Sequence, residues 1–319
     1  MTEFELIQKY FSAQDLKLSN VNVGIGDDAA IITPPPQQQI ILTTDTLVAG
    51  VHFLTSTQTD DIGYKALAVN LSDLAAMGAT PAWVLLAVTL PEANEAWVKA
   101  FCDGFFSLAN RYHVQLIGGD LTQGPLCLTV QALGYLPPGE ALLRSNAKSG
   151  DLIYVTGTLG DAGLALQHLL HQFPLADEVK TPILTRLHRP EPRVSIGEKI
   201  RTIAHAAIDI SDGLAADLSH LLQQSQVGAI VNVDSLPFSK ELLQTLSLEQ
   251  AISLALSSGD DYELCFTIPK NQQAHLEQTL STLNCRYTCI GRITTQPGLK
   301  LQFQNGTPYE GITKGYEHF

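Results

Sequence analysis

Apolar residues recur along the chain with two periods, and the switches between them mark out strands and helices. Residues 40–42 open a strand that runs into Thr43-Thr44-Asp45. The spacing over 61–77 predicts a helix, stopped by Gly78 and Pro81. Residues 83–90 form a nearly continuous apolar strand, and 92–110 an amphipathic helix with Trp97, Phe101, Phe105 and Leu108 on its buried side. Strands follow at 114–117 and 126–133. Pro137-Pro138-Gly139 and the polar stretch 144–150 mark a boundary between domains 1–140 and 141–319. The second half restarts with a strand at 152–156, a glycine-rich turn and a helix at 162–170. Further helices are expected at 181–187, 193–202, 214–223 and 271–283, with strands at 229–233, 262–268 and 287–293. Both halves read as α/β of the α+β type.

Composition narrows the class. The 319 residues are 45% hydrophobic and 16% charged, enough for packed cores and too long for a single ordinary one. Against 32 acidic residues stand 19 basic ones, a formal net charge of −13. With no cluster of Lys and Arg to offset it, that charge argues against nucleic acid and anionic membranes as partners. The start, Met1-Thr2-Glu3-Phe4-Glu5, lacks the basic and apolar regions of a signal peptide, and the longest apolar run, 82–88, is too short to span a bilayer. Cys102, Cys127, Cys265, Cys285 and Cys289 are odd in number and scattered. Cys285 and Cys289 have a metal-like spacing, but no second pair or nearby His completes a zinc site. All five read as small buried hydrophobes in a reducing cytosol.

The chemistry lies in acids placed at the ends of apolar strands. Asp45 follows 40–44, Asp120 follows 114–119, and Asp209 follows 206–208 with Asp212 three residues on. Ligands of α/β sheets gather beyond strand ends, so these carboxylates are candidates to converge. Taken singly, each also reads as an ordinary loop acid or helix cap. Asp73 is different. It is the only charge in the run 66–77, and near a helix C-terminus it opposes the macrodipole at a cost of roughly 0.3–1 kcal/mol. Such a carboxylate wants a cation, or a solvated edge, and Asn70 shares its face.

Gly24-Ile25-Gly26-Asp27-Asp28-Ala29 matches a dinucleotide fingerprint on paper, but Pro34-Pro35-Pro36 forbids the helix that should follow. A metal-binding turn fits it better. The loop 157–163 joins strand to helix with the wrong spacing, and close packing accounts for its glycines. No Walker lysine motif occurs in the chain. Several carboxylates near a polyphosphate repel it by about 4 kcal/mol per close pair at an effective dielectric near ~20. Divalent cations must therefore intervene, and oxygen ligands with little His or Cys select Mg²⁺. Phosphoryl transfer from ATP is the reaction class that uses such a set.

At these same residues the sequence resembles the thiamine-monophosphate kinases, of the superfamily that includes aminoimidazole ribonucleotide synthetase. The resemblance rests on Thr44-Asp45-Thr46-Leu47-Val48-Ala49-Gly50-Val51-His52-Phe53, Asn70-Leu71-Ser72-Asp73-Leu74-Ala75-Ala76-Met77-Gly78, Asp209-Ile210-Ser211-Asp212-Gly213-Leu214 and Gly259-Asp260-Asp261-Tyr262-Glu263-Leu264, in that order. It runs from the Gly26-Asp27-Asp28 turn to Lys314-Gly315-Tyr316. It implies two domains, the N-terminal sheet pairing in a homodimer, with ATP held near the domain junction. It further implies several Mg²⁺ held by Asp28, Thr43, Thr44, Asp45, Asp73, Asp120, Asp209 and Asp212. ATP would meet Gly119, Asp120, Arg144 and Ser211, while His52, Asp260 and Tyr316 would meet thiamine monophosphate. Asp260 stands where the family commonly has Glu, and Thr43 where it often has Ser. The implied reaction makes thiamine diphosphate and needs no general base, because a phosphate monoester with a second pKa near ~6 is already ionised at neutral pH. His52 is accordingly assigned to binding, beside the alternative of a structural histidine.

Three relatives are poorer matches. Selenophosphate synthesis needs a reactive Cys or selenocysteine near the N-terminus, whereas the first here is Cys102. The hydrogenase-maturation relative carries a terminal Cys, and this chain ends Glu317-His318-Phe319. Aminoimidazole ribonucleotide synthesis is the nearer rival, and a nucleotide sensor without catalysis is a rival from another class.

Overall fold

The structure, a computed structural model, describes residues 2–311 and 313–316. The chain end used above against the hydrogenase-maturation relative lies outside the described residues. Two compact units divide the chain, one of 1–74 with 79–139 and one of 75–78 with 140–319.

The first unit begins with a short helix α1 (Glu3–Leu6), capped by Thr2 and Glu5 in a reciprocal box and continued by a wider turn at Ile7–Phe11. A two-stranded ribbon, β1 (Val21–Val23) and β2 (Ile31–Ile32), follows. The main sheet is built from β3 (Gln39–Val48), β4 (Thr80–Leu90), β5 (Gln115–Gln123) and β6 (Cys127–Leu136), in the order β3-β6-β4-β5. Only the β4–β5 pair is parallel. Along β6, Leu128, Val130, Ala132 and Leu136 are buried and the intervening residues are half-buried. The period of 2 gives the sheet one fully covered face and one open face.

Two helices, α2 (Thr59–Ala76) and α3 (Glu95–Arg111), complete this unit apart from the last residues of α2. Asn94 caps α3 by accepting the Trp97 N–H at 3.1 Å, and Val98, Phe101, Phe105 and Leu108 form its buried stripe. In α2 burial is not confined to one stripe: Leu67, Leu71 and Leu74 are buried, and so are Lys65, Asn70 and Ser72. Paired glycines let the two helices touch through their backbones. A Cβ on Gly63 would collide with the Phe101 carbonyl, and one on Gly104 with the Asp60 carbonyl.

The second unit carries a six-stranded sheet with the order β12-β9-β11-β7-β10-β8. Its strands are β7 (Leu152–Thr156), β8 (Ala206–Asp209), β9 (Gly228–Asn232), β10 (Leu264–Ile268), β11 (Tyr287–Thr294) and β12 (Gly298–Gln302). All pairs are antiparallel except β12–β9. The helices are α4 (Asp161–Leu169), α5 (Asp177–His188), α6 (Val194–Ile200), α7 (Leu214–Ser225), α8 (Lys240–Thr245), α9 (Leu248–Ser257) and α10 (Gln273–Leu280). One apolar cluster gathers residues of β7, β8, α4, α7 and α9, including Val155, Leu164, Ile208, Leu218 and Ile252. Both units are thus mixed α and β, as the periodicities imply.

Two expectations about strand ends need correction. Asp45 does not close its strand, because β3 runs on through Thr46, Leu47 and Val48, and Asp45 pairs with Val130 in mid-ladder. Asp120 likewise lies inside β5, opposite Ala87. β-Branched residues on the far side of each acid continue the ladder. Asp209 does end β8. No helix among the described residues is long and apolar enough to cross a membrane.

Gly104→Ala drives a methyl group into the Asp60 carbonyl, and overpacking of this kind costs typically ~1–3 kcal/mol. The denaturation midpoint should fall by that equivalent with circular dichroism unchanged. An unshifted midpoint would mean that α2 and α3 separate freely.

Candidate active site

The parity of β3 sorts the candidate ligands of the first unit. Thr43, Asp45 and the buried Leu47 project to one face, Thr44 and Thr46 to the other. On the first face stands Asp73, in the last turn of α2. The Thr43 hydroxyl donates to Asp73 Oδ2. Burial first, and the Asp73 charge second, push Asp45 up to about 7. Two carboxylates and a hydroxyl therefore meet there, an all-oxygen set of the kind hard divalent cations take. On the same helix Asn70 is fully buried; its amide donates to the Ala66 carbonyl at 3.1 Å, and its Oδ1 has no partner among the described residues.

On the open face lies a cavity of about 1400 Å³, lined by Gly26, Asp27, Asp28, Thr44, Gly119 and Asp120 among others. Asp28 and Asp120 are exposed. Gly119 is fixed by its backbone: φ is +153°, and a Cβ would run into the Leu86 carbonyl of the neighbouring strand. The structure thus brings Asp28, Thr44, Gly119 and Asp120 round one cavity, and Thr43, Asp45 and Asp73 together on the opposite face of the sheet. Among the described residues no three His, Cys, Asp or Glu side chains form a ready-made metal cluster.

His52 sits in the tight turn after β3, where its Nδ1 accepts the Val48 N–H at 3.0 Å. That bond places the proton of the neutral ring on Nε2. Nε2–H is a donor, suited to holding a phosphate oxygen and unsuited to removing a proton. The buried Lys65 reaches the His52 carbonyl at 3.5 Å.

In the second unit three segments close on one another. The Asp260 N–H donates to the Ser211 carbonyl at 2.9 Å, the Tyr262 N–H to the Ile210 carbonyl at 2.8 Å, and the Tyr316 N–H to the Asp212 carbonyl at 3.1 Å. Gly259 packs so closely on the Ser211 carbonyl that a Cβ would overlap it. Asp209, Ser211, Asp212, Asp260 and Tyr316 are thereby gathered, with Asp209 buried and Tyr316 half-exposed. Arg144 lies in a single exposed turn that packs on α7 and β8, the elements flanking Asp209 and Asp212. Asp260 and Tyr262 hold left-handed φ values of 69° and 49°, each costing on the order of 1–3 kcal/mol.

Two family models describe the chain: the N-terminal domain of AIR synthase related proteins matches residues 26–136, and the C-terminal domain matches 148–304. The thiamine-monophosphate kinase of Escherichia coli (strain K12) is 47% identical over 99% of this chain and 98% of its own. This chain belongs to the thiamine-monophosphate kinase family. The crystal structure of the Stenotrophomonas maltophilia K279a thiamine-monophosphate kinase superimposes with a TM-score of 0.89 at 46% identity, covering 97% of this chain and 98% of that one. AaThiL complexed with AMPPCP and TMP superimposes at 0.78 and 33% identity, over 90% of this chain and 89% of that one.

Some residues that shape this family member's site escape a reading of its motifs. Asp217, on the first turns of α7, is buried, and its Oδ2 accepts the N–H groups of Ser211, Asp212 and Gly213 at 3.0, 3.0 and 3.1 Å. Burial pushes its carboxyl up to about 7, against the opposing pull of those donors. The available signal was an acid inside the apolar run Leu214-Ala215-Ala216-Asp217-Leu218. The glycine loop 157–163 is a packing device, as expected: Gly163 lies against Ser258 and Gly157 against the Glu263 carboxylate.

Asp45 fixes a pH dependence. Its carboxyl is held at about 7 in the fold, against 3.8 ordinarily, so the folded state binds the proton more tightly. The stability this provides is complete below the ordinary value and is lost as pH rises towards 7. Asp45→Asn should therefore melt higher than the parent near pH ~8 without divalent cations, by at least ~2 °C, and the gap should close near pH ~4. A variant that melts lower at the higher pH would show that Asp45 is already compensated within the fold.

Proposed function

We propose that the chain transfers the γ-phosphoryl group of ATP to the phosphate of thiamine monophosphate, giving thiamine diphosphate and ADP. The observation that carries this reading is the relative complexed with AMPPCP and TMP, which matches nine-tenths of the chain. The close curated relatives support it, and so does the pair Asp45–Asp73, which calls for a cation.

In this reading Asp28, Thr43, Thr44, Asp45, Asp73, Asp120, Asp209 and Asp212 are the residues that would hold Mg²⁺, and their oxygen-only chemistry fits it. Bound magnesium would supply charge neutralisation to the polyphosphate. Gly119 offers a backbone that approaches closely because no side chain stands in the way. Asp120, Arg144 and Ser211 complete the ATP contacts. Asp260 and Tyr316 orient thiamine monophosphate, with His52 Nε2–H donating to its phosphate. An ionised oxygen of that phosphate attacks the γ-phosphorus in line as the bond to the β-phosphate oxygen breaks, and ADP leaves with that electron pair. The residues contribute alignment and electrostatics, and no side chain removes a proton.

Residues 1–140 form the domain for ATP, metal and pairing, residues 141–319 supply the remaining contacts, and the reaction takes place in the cytoplasm. Two copies pair through the N-terminal sheet, whose open face leaves Leu42, Thr44 and Thr46 exposed.

The deciding experiment follows ADP and thiamine diphosphate together, with and without thiamine monophosphate. One ADP per thiamine diphosphate, and no ADP without the acceptor, is the expected result. ATP consumption independent of the acceptor would point to another reaction of the superfamily, and none at all to a sensor. The tautomer of His52 adds a sharper expectation. His52→Asn should raise KM for thiamine monophosphate more than it lowers kcat, and the acid limb of the rate should follow ionisation of the acceptor near pH ~6. A collapse of kcat at unchanged KM would make His52 the base.

A further inference from the structure

The tetrapeptide Asp260-Asp261-Tyr262-Glu263 holds three acids, and two of them turn inward. Both Asp261 oxygens lie within reach of the Gly160 N–H, at 3.1 and 3.0 Å. Glu263 is buried and grips Arg193 through both its oxygens: Nε donates to Oε2 at 2.6 Å, and Nη2 donates to Oε1. The Thr156 hydroxyl also donates to Oε2, at 2.6 Å, while accepting the Leu264 N–H at 2.8 Å. Gly157 closes the remaining space, since a Cβ there would overlap the Glu263 carboxylate. The glutamate is therefore fixed by three donors and a glycine wall.

A buried ion pair gives little stability that well-packed hydrophobes would not, because desolvation offsets most of its attraction. What a bidentate fork gives is orientation. Glu263 directly follows the left-handed Tyr262, three residues after the left-handed Asp260, and its carbonyl accepts the Ile210 N–H at 2.8 Å. This bond and those from the Asp260 and Tyr262 N–H groups to Ser211 and Ile210 all lie within three residues of the fork. A loop with two unfavourable φ values relaxes unless its surroundings over-determine it.

We propose that Arg193 and Glu263 are positioning residues: their buried pair holds the strained loop 259–262 against 210–211, and so sets how Asp260 is presented to the thiamine phosphate. Both act through the loop, with side chains only 11% and 3% exposed. The proposal rests on the reading that Asp260 meets thiamine monophosphate, and the test separates the two.

The double variant Arg193→Met with Glu263→Leu replaces the pair by side chains of similar volume and leaves no buried charge behind. Hydrogen exchange reads the loop without any turnover. The amides of Asp260 and Tyr262 should lose protection by about tenfold or more, while Ile153 and Val155 of β7 keep theirs. In kinetics, KM for thiamine monophosphate should rise about tenfold or more while KM for ATP moves less than about twofold. Glu263→Gln keeps the shape and one oxygen acceptor, carries the same comparison if the double variant does not fold, and should show a smaller change in the same direction. Unchanged protection at Asp260 and Tyr262 in a folded variant overturns the proposal, as does an equal rise in both KM values. If the parent protein does not phosphorylate thiamine monophosphate, the functional reading fails, and the exchange data still decide whether the pair holds the loop.

Discussion

The carboxylates of Asp45 and Asp73 repel each other across the space between β3 and α2, and the backbone holds both in place. Asp45 is held in mid-strand by its pairing with Val130, and Asp73 by the last turn of a buried helix. The Thr43 hydroxyl softens the contact by donating to Asp73. The result is a carboxyl group kept at about 7, protonated for a substantial part of the time near neutral pH. A protein shaped by stability alone would place an amide or an apolar residue there. In the proposed reaction a divalent cation arriving with the polyphosphate would relieve this repulsion, and the rest of the arrangement is consistent with that need.

The same logic recurs in the second unit in a different form. Asp212 and Ser211 sit on a loop whose three successive N–H groups converge on one buried oxygen of Asp217. Asp260 sits on a loop with two left-handed residues, tied to Ile210 and Ser211 by backbone bonds. In each case a buried acid faces the interior and fixes the backbone that carries a second acid on the other side. Backbone geometry fixed in advance is what catalysis by alignment and electrostatics requires, since reorganisation during the reaction would forfeit the gain.

Much of this is legible in the sequence. The helix around Asp73, the strand ending at Asp209 and the mixed α and β of both halves follow from local periodicity, and the structure has them. The positions of Asp45 and Asp120 inside their strands are not legible there. A strand's end depends on which partner it pairs with, and β6 supplies a partner for every residue of β3 from Gln39 to Val48. Asp217 and Arg193 carry no signal of this kind because their contacts are long-range or inward. Nothing near Arg193 in sequence announces Glu263, 70 residues away. The parity of β3, which sends Thr43 and Asp45 to one face and Thr44 to the other, was implicit in the sequence, but only the register with β6 shows which face is covered.

The claim that Asp45 and Asp73 await a cation is tested most directly by the protons released when Mg²⁺ binds. Calorimetric titration of the parent protein with Mg²⁺, in the presence of a non-hydrolysable ATP analogue and in buffers of differing ionisation enthalpy, reads that number. Because a metal ligand must be deprotonated, binding near pH ~7 should release roughly half a proton, falling to almost none near pH ~9. Asp45→Asn should abolish the release. Mg²⁺ binding that frees no proton at either pH would contradict the account and place the cation elsewhere.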